Sequence, residues 1–363
     1  MWYKIASCML KTPFFDPGKT YKENYEDGPF GDFNDGKIFN NQGEGQYSFL
    51  GNRVFLPFGI PAGPLLNGNY VKAALDKGFD IATYKTVRTK QHPVSDWPNV
   101  LAVNVDGDLT LEIAEKGVIG TNKYLEPLAI TNSFGVPSYV PDIWQPDLAE
   151  AVRYASARQV VIGSFQGTVN AEGHVQDYVR DFVLASRMVK ETGAKILEVN
   201  LSCPNEGSAH LLCFDVGRTR EIVEAIKNEI GNTPLIIKIA YFADDDNLRE
   251  LVRLVGKTID AIAAINTIPA KVYDKDGNQA LPGGANRLRS GICGHPIKWA
   301  GIDSVRRLKR HREELNMKFA IIGVGGVTDK EDYVDYVDVG ADAVMSATGA
   351  MWNPYLAQEI KSE

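Results

Sequence analysis

Eight apolar, strand-like runs separated by helix-patterned segments leave this chain few folds to choose from. The runs are Pro57 to Ala62, Ile81 to Val87, Val160 to Phe165, Lys195 to Leu201, Leu235 to Ile239, Ala261 to Thr267, Phe319 to Val324 and Ala343 to Ser346. Their continuous apolar character marks strands covered on both faces. Between them, Asn69 to Lys77, Asp177 to Thr192, Arg218 to Ile230, Asn247 to Thr258, Ile302 to Leu315 and Asp329 to Val339 carry helical spacing. Such alternation builds a parallel α/β sheet. Eight repeats in 363 residues predict a closed (β/α)8 TIM barrel, with a doubly wound open sheet as the alternative.

The departures from this rhythm are as informative. Residues 1–45 are rich in Gly, Asp, Asn and Tyr and poor in aliphatics, which predicts an irregular N-terminal extension, partly disordered or wrapped on the surface, ahead of a catalytic domain over 46–363. Tyr47 to Leu50 and Arg53 to Leu56 flank Gly51-Asn52, the signal of a hairpin capping one end of a barrel. A long polar insertion, residues 88–150, follows the second strand, at the face where insertions carry function.

Composition removes whole classes of partner. A net charge of −7 argues against nucleic acid and anionic membrane, leaving small molecules. Cys8, Cys203, Cys213 and Cys293 form no CxxC pair, so neither a disulfide framework nor a metal site is expected, and a reducing cytoplasmic compartment is. No stretch approaches the roughly 18 apolar residues of a spanning helix.

Chemistry concentrates in Glu198-Val-Asn-Leu-Ser-Cys-Pro-Asn-Glu-Gly207, where an apolar strand stops at Pro204. Barrel enzymes keep their reacting groups at such strand ends. Asn200, Ser202 and Asn205 offer hydrogen bonds, and Cys203 offers an ionisable thiol; the alternative is a structural turn with an inert cysteine. Lys85 and Lys238 lie inside apolar strands, where a lysine requires an anion: a reduced cofactor, or a core carboxylate such as Glu198. Asn132, Asn200, Asn205 and Asn266 sit at strand ends or loops, suited to ring a planar heterocycle or simply to cap turns. Gly323-Val-Gly-Gly-Val-Thr-Asp329 and Ser346-Ala-Thr-Gly349 follow the last two strands, the place of a barrel phosphate site; Gly291-Ile-Cys-Gly294 is a third glycine cluster expected to close over the same ligand. The histidines, His92, His174, His210, His295 and His311, read as surface or loop residues.

Taken together, Tyr84-Lys-Thr86, Asn132-Ser-Phe-Gly135, Asn200-Leu-Ser-Cys-Pro-Asn205, Lys238, Asn266-Thr267, Gly325-Gly326 and Thr348-Gly349 resemble the dihydroorotate dehydrogenase family over about residues 53–355. The resemblance implies a flavin (FMN) barrel that oxidises dihydroorotate to orotate. It makes Cys203 the base that takes the C5 proton, with Lys85 supporting the reduced flavin. It assigns Asn132, Ser133, Phe134, Gly135, Asn200, Asn205, Asn266 and Thr267 to the substrate. It assigns Ala62, Gly63, Lys85, Thr86, Asn200, Lys238, Asn266, Gly291, Gly325, Gly326, Ala347 and Thr348 to the cofactor. A cysteine base is similar to the cytosolic class, class 1, which implies no membrane partner, a homodimer, fumarate as acceptor, and a loop from Glu206 to Phe214 that excludes water. NAD would require a partner subunit with its own iron–sulfur centre.

Ser164-Phe-Gln-Gly167, Cys293 and Ser346-Ala-Thr-Gly349 depart from the family pattern. Two rival readings are a dihydropyrimidine dehydrogenase-like reductase, against which Asn205 argues because that relative usually has His there, and a flavin-binding barrel without activity.

Overall fold

The computed structural model of the chain describes residues 10–41, 44–168, 175–202 and 211–362. In chain order the elements are α1 (Tyr21–Asp27), the strands β1 (Tyr47–Phe49), β2 (Asn52–Val54) and β3 (Phe58–Ile60), then α2 (Gly68–Asp76) and β4 (Ile81–Val87). An excursion follows: β5 (Ala102–Asn104), α3 (Leu111–Lys116), β6 (Val118–Thr121) and β7 (Ala129–Asn132). The alternation resumes with α4 (Pro141–Tyr154), β8 (Val160–Phe165), α5 (Val175–Glu191), β9 (Ile196–Asn200), α6 (Val216–Ile230), β10 (Leu235–Ile239), α7 (Asp245–Val255) and β11 (Ala261–Ala264). A second excursion, β12 (Ile268–Tyr273) and β13 (Arg289–Gly294), precedes α8 (Lys298–Glu314), β14 (Ala320–Val324), α9 (Lys330–Asp338), β15 (Ala343–Met345), α10 (Thr348–Trp352) and α11 (Leu356–Lys361).

Strands β3, β4, β8, β9, β10, β11, β14 and β15 close into one parallel barrel, each of the eight expected runs supplying one. Alternate residues point inward. Ile81, Ile162, Ile196, Ile236, Ala263, Ile322 and Met345 therefore form a separate apolar cluster, into which Phe49 and Val54 of the β1–β2 hairpin also pack. That hairpin plugs the amino-terminal end. Its pairing Phe49↔Asn52 makes Leu50 and Gly51 the turn, at φ 45° and 81°, one residue earlier than expected. Asn52 is a ladder residue, and its side-chain amide donates to Leu50 O. Helices α2, α6, α7 and α9 start where Asn67, Asp215, Asp244 and Asp329 accept from first-turn amides.

Four expectations need correction. The insertion after β4 does not run to residue 150: its earlier part joins β12 and β13 in a closed five-stranded sheet, order β12-β13-β7-β5-β6, and its last part is α4, an ordinary barrel helix. Gly291-Ile-Cys-Gly294, expected as a glycine cluster closing over the ligand, is part of strand β13, pairing Gly291 with Asn132 and Cys293 with Ile130. The N-terminal extension is not irregular throughout. A Thr20/Glu23 capping box starts α1, and Phe14, Phe15 and Phe33 are buried in the main core. His311 is also no surface residue: it is buried on α8 with Nε2 3.0 Å from Asp245 Oδ1.

Candidate active site

The carboxyl ends of the barrel strands face the five-stranded sheet, because both excursions leave from strand ends on that side, after β4 and after β11. Two adjoining cavities share Ala62, Gly63, Asn132, Phe134, Lys238 and Asn266 and so form one cleft. The larger part adds Phe15, Val100, Ile130, Thr267, Cys293, Ala347, Thr348 and Met351; the smaller adds Lys85, Thr86, Gly135 and Asn200. This is the make-up of a small-molecule site, apolar walls with a few convergent polar groups.

The lysines are its floor. Lys85 Nζ donates to Gly63 O at 3.2 Å, and Lys238 Nζ donates to Ala62 O at 2.9 Å, so consecutive carbonyls after β3 hold both cations at one place. Lys85 also lies 4.6 Å over the Phe134 ring, a cation–π contact. Burial pushes the Lys238 ammonium below its ordinary range, opposed by the nearby Glu198 carboxylate. Two cations gathered in a buried cleft favour a ligand that is anionic or becomes so.

The amides are locked around them. Asn200 Nδ2 donates to Gln166 Oε1 at 2.9 Å, and Asn200 Oδ1 accepts from Ser202 N at 3.2 Å. Asn266 Nδ2 donates to Ser202 O, so Ser202 is gripped on both backbone groups. Asn132 ends β7 opposite Gly291. Ser133 is buried, and its hydroxyl accepts from Arg287 Nη2 at 2.9 Å. Gly135 takes φ 76°, where a Cβ would also meet Ser95 Oγ at 2.6 Å. Gly325 and Gly326 turn the chain after β14 at φ 129° and 73°. Thr267 Oγ1 is buried without a hydrogen-bond partner among the described residues, which suits a polar ligand in the cleft it lines. A Cβ on Gly291 would lie 2.3 Å from that hydroxyl.

Cys203 and Asn205, and most of the loop from Glu206 to Phe214, lie outside the described residues; Leu212–Phe214 is a short 3-10 turn. Cys293 Sγ donates to Ile130 O at 3.6 Å, and burial pushes its thiol up to about 11, so it stays protonated at neutral pH. Three contributors escaped the sequence reading. Gln166, part of the atypical Ser164-Phe-Gln-Gly167, orients Asn200. Phe15 and Tyr21, from the extension, pack edge-on against Phe134 at 5.3 and 5.8 Å. Aromatics recurring through a segment poor in aliphatics, Phe14, Phe15, Tyr21, Tyr25 and Phe33 among them, were the available signal.

The residues present fit a flavin mononucleotide: cations at one edge, amides around the cleft and glycine turns after β14. Fold and cleft thus define a (β/α)8 barrel built to hold a planar, anionic ligand at its carboxyl end. Residues 46–363 match the family model described as dihydroorotate dehydrogenase, and the chain belongs to that family, whose members are FMN-dependent. It is similar to the dihydroorotate dehydrogenase of Dictyostelium discoideum, 37% identical over 373 residues, covering 96% of this chain and 97% of that protein. A quinone-type dihydroorotate dehydrogenase of Pseudarthrobacter chlorophenolicus is 26% identical, covering 85% and 81% of the two chains. The catalytic subunit of an NAD(+)-type enzyme from Thermoplasma volcanium is 27% identical, covering 83% and 85%. In three dimensions the chain resembles the DHODH of Eimeria tenella crystallised with ferulenol, with a TM-score of 0.68 and 18% identity over 89% of this chain and 85% of that one. The chain is an oxidoreductase of pyrimidine biosynthesis that oxidises dihydroorotate. Among the described residues, no helix is long and apolar enough to cross a membrane, and no group of three His, Cys, Asp or Glu could hold a metal ion.

Proposed function

We propose that this dehydrogenase is of the cysteine-base class, with Cys203 taking the C5 proton of dihydroorotate and fumarate as the final acceptor, acting as a cytoplasmic homodimer. The observation that carries the reading is the gathering of Lys85, Lys238, Asn132, Asn200 and Asn266 on one cleft beside the strand that leads into Cys203. When bound there, FMN supplies the hydride acceptor.

The chain's own residues then divide the work. Lys85 and Lys238 provide positive charge where electrons arrive, fixed by the carbonyls of Gly63 and Ala62. Thr86, Ala347 and Thr348, with the Gly291 strand and the Gly325-Gly326 turn, hold the cofactor; Asn132, Ser133, Phe134, Gly135, Asn205 and Thr267 hold the substrate. Asn200 and Asn266 serve both and also anchor Ser202, which fixes the backbone entering Cys203. Substrate held this way presents its C5 proton to one side and its C6 hydride to the other.

Fumarate is favoured over quinone and NAD because a cysteine base goes with the cytosolic class, and NAD use calls for a second subunit. An anaerobic panel on the purified chain decides. Dihydroorotate with fumarate should turn over, and NAD+ alone should not. Turnover with a soluble quinone but none with fumarate would overturn the acceptor assignment. Dihydrouracil and dihydrothymine, offered to the same acceptors, should give none.

A further inference from the structure

The barrel interior is layered, because strand residues two apart share a face. Above the apolar layer of Ile81, Ile162, Ile196 and Ile236 comes a polar one: Thr83, Ser164, Glu198 and Lys238 each follow two positions later on the same strands. Glu198 is 0% exposed. Its Oε1 accepts from Ser164 Oγ at 3.1 Å, and Ser164 Oγ lies 3.0 Å from Thr86 Oγ1 at the cleft. Its Oε2 has no hydrogen-bond partner among the described residues. A carboxylate so buried is sustained only by a counter-charge. Strand β10 supplies one: Ile236 lies opposite Glu198, and Lys238 is two residues further on. Each charge works against the desolvation of the other.

We propose that Glu198 is the counter-charge of Lys238 and, through that lysine, sets how strongly the site favours reduced over oxidised FMN. This rests on the reading that FMN occupies the cleft. Two-electron reduction adds negative charge beside Lys238; the ammonium favours that state, and the carboxylate in the same polar layer opposes it. The Thr86–Ser164–Glu198 chain holds the carboxylate in place, so Glu198 acts by position and not by touching substrate.

The test is the midpoint potential of the FMN-loaded protein, measured spectroscopically against a reference dye. Glu198→Gln keeps the shape and an acceptor for Ser164 while removing the charge. It should favour reduction by about tenfold or more, a rise of about 30 mV for a two-electron couple. Glu198→Asp should stay nearer the parental potential. Ser164→Ala, which takes a donor from the carboxylate and so favours its protonated form, should shift the same way by less. A loaded Glu198→Gln protein with the parental or a lower potential overturns the proposal. If that variant does not accumulate, an unshifted Ser164→Ala protein overturns it instead. Parental protein that binds no FMN would overturn the cofactor site itself, a result separate from any variant's shift.

Discussion

Lys85 shows how a single side chain can be read from sequence and still need the structure to give it a task. A lysine inside Ile81–Val87 contradicts its apolar neighbours, and that contradiction was visible. What it touches was not: Gly63 O comes from the neighbouring strand end and Phe134 from the insertion. Lys85→Ala should slow flavin reduction by dihydroorotate about 10²- to 10³-fold, the usual loss for one preorganised charge or donor. A lysine that served only the fold would show the opposite pattern, a lower Tm with the parental reduction rate in folded protein. Gln166 was harder to see. Its partner Asn200 is 34 residues away, and nothing local distinguishes a glutamine that orients an amide from one in a loop.

At the level of elements, the barrel was legible because each of its strands is buried on both faces, so hydrophobicity alone marks it. The five-stranded sheet was not. Its strands β5, β6 and β7 are three or four residues long, too short to show a period, and the glycines of β13 mask its strand character. Helix α4 hid behind Pro141 at its start and Pro146 inside it. Yet α4 ties the scaffold together: Asp147 Oδ2 accepts from Tyr84 Oη at 2.6 Å and from Gly68 N at 2.7 Å, joining α4 to β4 and to the start of α2. Asp147→Ala should cost about 2–4 kcal/mol, since each stranded buried donor costs about 1–3 kcal/mol. Urea unfolding with an unchanged m-value would show it, and a midpoint equal to the parental one would remove Asp147 from this role.

For the whole molecule, the cleft joins parts that are far apart in the chain: Phe15, Asn132, Lys238 and Thr348 all line it. A ligand seated there must couple to global stability. Stripping FMN should lower Tm, and restoring it at a hundred times its Kd should return about 2.7 kcal/mol. A Tm independent of FMN would mean that the cofactor binds elsewhere or not at all. The same long-range assembly explains why site residues could be named from the chain while their arrangement could not. Lys85, Lys238, Asn132, Asn200 and Asn266 belong to separate strands or strand ends, and only closure of the fold decides which of them meet.

The proposed chemistry turns on Cys203, the residue that follows the anchored Ser202. Serine in its place keeps the approximate size but is far harder to deprotonate, and a general base contributes about 10²- to 10⁴-fold. The measurement is the rate of flavin bleaching when the anaerobic, FMN-loaded protein is mixed rapidly with dihydroorotate, followed across pH. Cys203→Ser should retain FMN and bind orotate, lose about that factor at neutral pH, and recover part of it as pH rises. A serine variant that bleaches at the parental rate with an unchanged pH profile would show that Cys203 is not the base.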